Sequence, residues 1–192
     1  MLSYVVTGAS RGLGYEFVRT LAQDRFNIVV DLVRDKTATD IRLSKDGISN
    51  VTIIQADITD FAAPQKAAAE TSKLTGGNLD FLINNAASLS KNSGWIKLAV
   101  WHARSISESL ARQSALRQHS EEDVGFLERE LVESFEPNVV GVAKSIYAFL
   151  PLIKRRDSKK VITISTGMGD SDLVNDLHAL VFVSREDSKQ WP

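Results

Sequence analysis

The stretch TGASRGLG, residues 7–14, places three glycines within eight residues and directly follows the apolar run SYVV at 3–6. The run predicts a buried strand. Residues 13–24 predict a helix, because their apolar side chains repeat at helical spacing. The residues of this apolar stripe are Leu13, Phe17, Val18 and Leu21. The sequence therefore predicts a strand, a glycine-rich turn and a helix in immediate succession.

Each glycine of this turn has a physical reason in such a setting. Gly8 permits the tight turn, Gly12 lets the backbone approach a pyrophosphate, and Gly14 lets the helix pack closely on the sheet. The start of the helix adds N–H groups and a partial positive charge that favour phosphate. The turn is therefore interpreted as a site for the phosphates of a dinucleotide.

The rest of the chain alternates short β-branched runs with helical segments. The Ala-rich segment AAPQKAAAETSKL at 62–74 predicts a helix. The predicted strands are SYVV (3–6), NIVV (27–30), VTIIQ (51–55), LDFLIN (79–84) and VITIS (161–165). Nearly continuous apolar strands that alternate with helices are typical of a parallel sheet covered on both faces. The expected fold is α/β: a single domain with a doubly wound, Rossmann-like parallel sheet of about five strands.

Composition narrows the class of protein. With 192 residues the chain suits one domain, and its net charge of −1 gives no reason to expect a nucleic-acid partner. The chain has no cysteine, and its three histidines lack ligand-like spacing, so no metal site is expected. The apolar runs fall short of the ~20 residues of a membrane span, and MLSYVVTG has no basic start typical of a signal peptide. We expect a cytoplasmic protein that has no membrane partner.

Five motifs in order resemble the short-chain dehydrogenase/reductase family. The Thr-Gly-x-x-x-Gly-x-Gly spacing of the turn is the first. The others, in chain order, are Asp57 in QADITD, Asn84–Ala86 in INNAA, Asn138 in FEPNVVGV and the stretch ISTGMGD (164–170). Ala87 stands where the family has a second glycine in its Asn-Asn-Ala-Gly motif. The matches cover about residues 1–90 and 124–176.

The resemblance implies an oxidoreductase that uses a nicotinamide dinucleotide on a carbonyl or alcohol group of a small molecule. The family's aspartate at the position of Asp57 contacts the adenine ring. The residues expected to bind the cofactor are Gly8, Ser10, Arg11, Gly12, Leu13, Gly14, Arg34, Asp57, Asn84 and Ala86. A homo-oligomer is compatible with the resemblance, although half of the family's usual helix-to-helix surface would be absent.

The choice of cofactor depends on the tip of the second strand. An acidic residue there bonds the ribose hydroxyls of NAD and repels the additional phosphate of NADP. The sequence places Leu32 at the tip and Arg34 two residues later, while Arg11 adds a second cation. Guanidinium groups match phosphate geometry, so the pair favours NADP. NAD stays open, because a slip of one residue would bring Asp31 to the tip.

By the resemblance, a tyrosine hydroxyl moves the proton, a serine or threonine holds the substrate oxygen and a helix asparagine completes a proton relay. Thr166 stands in the place of the active-site serine, with Ser165 as an alternative, and Asn138 stands in the place of the asparagine. Pro137 is expected to kink the helix there. None of the three tyrosines has a lysine four residues later, so the family's Tyr-x-x-x-Lys is absent.

Two stretches depart from the family's pattern. Residues 91–120 form an atypical insertion rich in Ser, Arg and Gln, and residues 177–192 form a divergent tail after a dinucleotide-binding domain at 1–176. If DSK (187–189) is aligned with the family's Ser-x-Ser-Lys, Lys189 takes the place of the family's lysine and Arg185 that of the tyrosine. The alternative, which the sequence favours, is that Lys189 is a solvated lysine of the tail. Arginine stays protonated and cannot cycle a proton at neutral pH. The family's later strands would be missing, and strand five would become an exposed edge.

These observations leave three hypotheses. The first is an NADP-dependent oxidoreductase of the short-chain type, with weak or no activity in the chain as written. The second is a non-catalytic dinucleotide-binding protein. The third is a truncated product that folds poorly. The insertion and the tail either come from unspliced or misread gene segments or are genuine features of a divergent protein, and the sequence alone leaves both open.

Overall fold

The computed structural model describes residues 1–88, 128–129 and 131–165. The chain divides into two compact units, Met1–Ile162 and Thr163–Pro192. Of the second unit, only residues 163–165 are among those described. The predicted insertion, the predicted boundary after residue 176 and the tail lie outside the described residues and stay predictions.

Five strands form one sheet in the order β3-β2-β1-β4-β5. The strands are β1 (Ser3–Thr7), β2 (Ile28–Val33), β3 (Val51–Gln55), β4 (Phe81–Asn84) and β5 (Lys160–Thr163). The pairs β1–β2, β1–β4 and β2–β3 are parallel, with Val6 opposite both Asp31 and Ile83. The order reverses at β1, so the predicted doubly wound parallel sheet is confirmed.

Helices cover both faces of this sheet. They are α1 (Gly12–Leu21), α2 (Lys36–Lys45), α3 (Ala62–Thr75) and α4 (Gly141–Ile153). On one face, Tyr15 and Val18 of α1 and Leu43 of α2 pack on Val6 and Ile53. The opposite face is covered by α3 and α4, whose core residues are Ala67, Ala68, Phe149, Leu152 and Ile153. Because both faces are buried, the central strands have no polar alternation, as the sequence predicted.

The amphipathic stripe predicted for α1 is wrong at its first residue. The helix begins at Gly12, and its buried residues are Gly14, Tyr15 and Val18. Leu13 is 65% exposed. Leu13 therefore lies on the exposed side of the first turn, whereas Gly14 and Tyr15 of the same turn are buried.

The pattern of apolar residues in the sequence did not predict α2. Only Thr39 and Leu43 of its ten residues are buried, so its apolar stripe is too narrow to recognise. Its start is nevertheless well defined, because the Asp35 side chain accepts a hydrogen bond from the Ala38 N–H at 3.0 Å. The start of this helix is therefore set by the Asp35 cap and not by a broad apolar face.

The irregularity predicted at Pro137 is present as a π-helical turn, Glu136–Val140, directly before α4. Proline has no N–H for the helical ladder, which explains why the backbone widens here. Lys144 braces the turn: its Nζ donates to Glu136 Oε1 at 2.7 Å and to the Thr59 carbonyl at 2.6 Å.

Among the described residues, β5 is the last strand in the sheet order and all four of its residues are exposed, including Val161 and Ile162. An exposed strand with apolar side chains is prone to pair with other chains. The predicted loss of the family's later strands concerns residues outside those described and stays a prediction. In the part of the chain that the structure describes, no helix is long and apolar enough to cross a membrane.

Candidate functional site

The predicted site residues follow strands that end at one edge of the sheet. The turn at 8–11 follows β1, Arg34 follows β2, Asp57 follows β3 and residues 85–88 follow β4. The strand order reverses between β1 and β4, and such a reversal opens a crevice at the carboxyl ends of the strands. The fold therefore brings the loops of four strands to the position where open α/β sheets bind ligands.

The glycine turn has the backbone that the sequence predicted. Gly8 has φ +71° and Gly12 has φ +61°, a region that L-residues rarely adopt. The Gly8 N–H donates to the Leu32 carbonyl at 2.8 Å, which anchors the turn on β2. A Cβ on Gly8 would lie 2.6 Å from Ala86 Cα, whereas a Cβ on Gly12 would have no described atom within 4 Å. Gly8 is thus enclosed by protein and Gly12 faces open space.

The loop after β4 is bonded directly to this turn. Thr7 Oγ1 accepts the N–H groups of Asn85 and Ala86 at 3.1 and 3.0 Å. The Asn85 side chain donates to the carbonyls of Thr7 and Gly8 at 3.2 and 3.1 Å. A Cβ on Gly14 would collide with the Asn85 amide. The two predicted motifs therefore form a single interlocked unit.

Arg42 of α2 also contacts the glycine turn, at Ser10. Arg42 Nη1 donates to the Ser10 carbonyl at 3.1 Å, and its guanidinium lies 3.9 Å from the centroid of the Tyr15 ring. The Tyr15 hydroxyl in turn donates to Asp46 Oδ2 at 2.5 Å. This chain of contacts fixes the side of the turn that carries Ser10 and Arg11.

The tip of β2 lies one residue later than predicted. The strand ends at Val33, so Leu32 is buried within it and Arg34 is the first residue beyond it. The alternative that brings Asp31 to the tip is wrong, because Asp31 is fully buried inside β2. Its Oδ1 accepts the Ala9 N–H at 3.3 Å. Burial raises the pKa of the Asp31 carboxyl to about 7, and the Ala9 hydrogen bond opposes this only in part.

Five of the ten residues predicted to contact the cofactor are exposed, Gly12 among them. Ser10, Arg11 and Arg34 are exposed, as is Leu13. Arg11 is the N-cap residue of α1, and its side chain makes no hydrogen bond to the first turn of that helix. Both cations can therefore meet a ligand that rests on the turn.

Asp57 is half-buried just past β3 and stabilises its own loop. Its Oδ1 accepts the Thr59 N–H at 2.9 Å and the Thr59 hydroxyl at 2.8 Å. One carboxylate oxygen is thus committed to the fold, which leaves Oδ2 as the atom for a ligand contact.

Asn138 lies in the π-helical turn and reaches the loop after β4. Its Oδ1 accepts the Ser88 N–H and its Nδ2 donates to the Ser88 carbonyl, both at 2.8 Å. The Asn138 side chain is therefore bonded to the loop that follows the Asn-Asn-Ala motif, and its expected part in a proton relay stays a prediction. Thr166 lies outside the described residues, and its alternative, Ser165, is exposed within the second unit.

Among the described tyrosines, Tyr4 and Tyr15 are held by contacts with other side chains, whereas Tyr147 of α4 is exposed. Burial, followed by the hydrogen bond to Asp46, raises the pKa of the Tyr15 hydroxyl above its usual value. The Tyr4 ring stacks on Phe81, with centroids 4.8 Å apart. Within the described ranges, no group of three or more His, Asp or Glu side chains could hold a metal ion.

The sequence pattern missed four residues that build the site: Thr7, Arg42, Asn85 and Ser88. Thr7 and Asn85 belong to the quoted motifs, so their positions were a signal, although their hydrogen bonds were not predicted. Arg42 and Ser88 had no signal, because their partners are distant in sequence and depend on the fold.

Comparisons with known proteins agree with this geometry. Residues 3–107 match a family model described as short chain dehydrogenase. A protein of Hypocrea virens called short chain dehydrogenase virK is 41% identical over 177 residues, which cover 91% of this chain and 58% of the relative. The chain thus spans less than two thirds of the length of the relatives that it matches.

Solved structures share the fold. The NADP active-site complex of RhlG from Pseudomonas aeruginosa is similar with a TM-score of 0.60 and 26% identity, over 88% of this chain and 55% of that one. An NADPH-bound carbonyl reductase from chicken fatty liver has a TM-score of 0.61 and 23% identity, over 90% and 60% of the two chains. At that identity, the second likeness shows the fold alone.

Proposed function

The chain belongs to the short-chain dehydrogenase/reductase family, and from this premise we propose that it binds NADP(H) on the turn at residues 8–14. The proposed activity is that of an oxidoreductase acting on a carbonyl or alcohol group of a small molecule, weak or absent in the chain as written.

One observation carries the proposal. The turn is closed by protein at Gly8 and Gly14 and open at Gly12. Thr7 and Asn85 hold this arrangement through four hydrogen bonds at 3.0–3.2 Å. A rigid turn with one open glycine at the start of a helix is the shape that lets backbone amides approach a phosphate. The residues present therefore fit the phosphates of a dinucleotide.

The chain's own residues supply binding and orientation. The backbone of Gly12, Leu13 and Gly14 would face the pyrophosphate, and Asp57 Oδ2 would accept from the adenine amino group. Asn84, the buried last residue of β4, and the two residues that follow it, Asn85 and Ala86, would border the middle of the cofactor. When bound, NADP(H) supplies or takes a hydride at C4 of its nicotinamide.

Two features support NADP over NAD. Arg11 and Arg34 are both exposed and both flank the crevice, where their guanidinium groups could pair with the 2′-phosphate. The carboxyl that would oppose this phosphate, Asp31, is instead buried behind the turn. The RhlG complex, 26% identical to this chain, contains NADP.

The catalytic assignments rest on Asn138 and Thr166. Both polar atoms of the Asn138 amide are bonded to Ser88, so this side chain would position the loop after β4. A proton relay at Asn138 would then use its backbone carbonyl. The Thr166 hydroxyl would hold the substrate oxygen.

A second function, dinucleotide binding without catalysis, is favoured by the absence of Tyr-x-x-x-Lys and by the raised pKa of Tyr15. The printed sequence has no Tyr-x-x-x-Lys. Burial raises the pKa of Tyr15, which makes its proton harder to release at neutral pH. In this alternative the chain keeps the phosphate and adenine contacts and lacks the proton carrier.

Replacing Arg34 with alanine is expected to weaken NADPH binding about tenfold to a hundredfold and to leave NADH binding unchanged. The range corresponds to the loss of one or two charge-assisted hydrogen bonds to the 2′-phosphate. Arg25→Ala is the matched control, because Arg25 is an equally exposed arginine between α1 and β2, away from the carboxyl ends of the strands. Isothermal titration calorimetry with both cofactors measures the effect.

Equal weakening of NADPH and NADH by Arg34→Ala would contradict the 2′-phosphate contact. Turnover is assayed separately, by following NADPH consumption with a reactive dicarbonyl compound. Binding with turnover supports the oxidoreductase, and binding without turnover supports the second function. If well-folded chain binds neither cofactor, both proposals are wrong.

A further inference from the structure

Asp31 is a buried carboxyl that the proposed chemistry does not use. It lies in the middle of β2 with none of its surface exposed, between Val6 of β1 and Ile53 of β3. Its Oδ1 accepts the Ala9 N–H at 3.3 Å, and among the described residues its Oδ2 has no hydrogen-bond partner. A buried polar atom without a partner is costly, so its presence here calls for an explanation.

The carboxyl is directly behind the backbone of the glycine turn. Ala9 follows Gly8 and precedes the exposed residues Ser10 and Arg11, and its own side chain is fully buried. The hydrogen bond from the Ala9 N–H therefore connects Asp31 to the buried side of the turn. The opposite, exposed side of the same turn would receive the phosphates.

Three cations of the surrounding elements, Lys36, Arg42 and Arg19, are bonded to other groups. Lys36 Nζ donates to the Ile53 carbonyl at 2.9 Å, and Arg42 is bonded to Ser10. Arg19 pairs with Glu16 within α1. The ionisable groups on the turn and on the elements packed around this face are Tyr4, Arg11, Tyr15, Glu16, Arg19, Asp35, Lys36, Asp40, Arg42, Lys45 and Asp46. Among these described groups, none makes a hydrogen bond or an ion pair with Asp31.

We propose that Asp31 is a positioning residue of the phosphate turn, and that the turn accepts the dinucleotide when the Asp31 carboxyl is protonated. The proposal rests on the proposed NADP(H) site. A neutral carboxyl holds Ala9 without adding charge, whereas an ionised carboxyl places a buried negative charge behind the site of a polyanion. The low dielectric of the interior strengthens that repulsion.

The direction in which pH changes the affinity for NADPH follows from the titration of Asp31 in the folded protein. The pKa of Asp31 rises from its ordinary value of 3.8 to about 7 because the carboxyl is buried. Bound phosphates would raise it further, so binding is coupled to proton uptake. The affinity for NADPH should therefore fall as the pH rises through about 7.

The test is the dissociation constant for NADPH between about pH 6 and about pH 8.5, for the unmodified chain and for Asp31→Asn. Asparagine keeps an acceptor for Ala9 and cannot ionise. The unmodified chain is expected to lose about tenfold more affinity over this range than Asp31→Asn does. The 2′-phosphate of NADPH itself titrates near ~6, and the variant shares that contribution, so the difference isolates Asp31.

Asp40→Asn is the control, because it removes the same charge from an exposed position of α2. The proposal is overturned if Asp31→Asn has the same pH profile as the unmodified chain, or if Asp40→Asn flattens the profile equally. If Asp31→Asn does not fold, calorimetry of the unmodified chain in two buffers of different ionisation enthalpy replaces it. Net proton uptake at about pH 7.5, where the 2′-phosphate of free NADPH is already ionised, supports the proposal, and no uptake there overturns it.

These outcomes are distinct from a failure of the proposed function. If the unmodified chain binds NADPH with no excess pH dependence, only the role of Asp31 is lost. If folded chain binds no NADPH at any pH, the NADP(H) site and the proposal that rests on it are both wrong.

Discussion

Replacing Gly8 with alanine is expected to lower the free energy of unfolding by about 2–4 kcal/mol. An L-residue at φ +71° costs roughly 1–2 kcal/mol. The added Cβ would also lie 2.6 Å from Ala86 Cα and 2.8 Å from Ala86 Cβ, where backbone would have to move. Overpacking of this kind costs about 1–3 kcal/mol. The backbone cost and the overpacking cost add, because Ala86 is hydrogen-bonded to Thr7 and cannot move away from the new methyl group freely.

Urea unfolding of Gly8→Ala beside Gly47→Ala separates these terms. Gly47 has φ +72°, and a Cβ there would have no described atom within 4 Å. Gly47→Ala therefore keeps the backbone cost and lacks the collision, so it should lose about 1–2 kcal/mol. Equal losses in the two variants would contradict the close packing of Gly8 on Ala86.

Replacing Asp80 with alanine is expected to cost about 3–4 kcal/mol at neutral pH. Asp80 is 4% exposed. Its Oδ2 accepts the N–H and the hydroxyl of Ser3 at 2.9 and 2.8 Å, and its Oδ1 accepts the Ser158 hydroxyl at 2.9 Å. Removing the carboxylate leaves the buried Ser3 N–H unpaired and detaches β1 from the segment before β5. A hydrogen bond to a charged group contributes about 1.5–3 kcal/mol, and an unpaired buried donor costs about 1–3 kcal/mol.

The same carboxyl gives the fold an acid-sensitive component. Burial raises the pKa of Asp80, but the hydrogen bonds from Ser3 and Ser158 and the nearby Arg156 cation lower it by more, so it lies below 3.8. The stabilisation is therefore complete above the unfolded-state pKa of about 4 and is lost as the pH falls through the folded-state value.

Asp80→Asn keeps an acceptor and removes this titration. Urea unfolding across acidic pH should show a steeper fall in stability for the unmodified chain than for Asp80→Asn. Parallel curves for the two proteins would mean that Asp80 does not contribute the acid-sensitive component.

The strands and the glycine turn were predictable because their signals are local. Gly8, Gly12 and Gly14 require special backbone or close packing, and such requirements are readable at fixed spacing. The central strands were recognisable as nearly continuous apolar runs, because both faces of a covered parallel sheet are buried. This continuity also explains the misplaced tip of β2: the run IVVDLV has no alternation from which to tell where the strand ends.

Other features depend on contacts between distant residues. Asp31 stayed open as the acidic residue at the tip of the second strand, because nothing in its sequence neighbours reveals that a glycine turn 22 residues earlier covers it. Leu13 fitted an apolar stripe because helical periodicity does not show which positions of the stripe the fold covers. Arg42 and Ser88 reach the site only through the fold. The position of Thr166, and with it the substrate side of the site, lies outside the described residues.

The central claim is that the phosphates of a nicotinamide dinucleotide rest on the turn at Gly12. Its most direct test is the dissociation constant for NADPH of the unmodified chain, Gly12→Ala and Gly47→Ala. Both glycines have positive φ and open space around a Cβ, so the two variants carry the same backbone cost. Only a methyl group at residue 12 would stand between the backbone and the pyrophosphate. We expect Gly12→Ala to bind NADPH about tenfold to a hundredfold more weakly and Gly47→Ala to bind it normally. Unchanged binding by well-folded Gly12→Ala would contradict the claim.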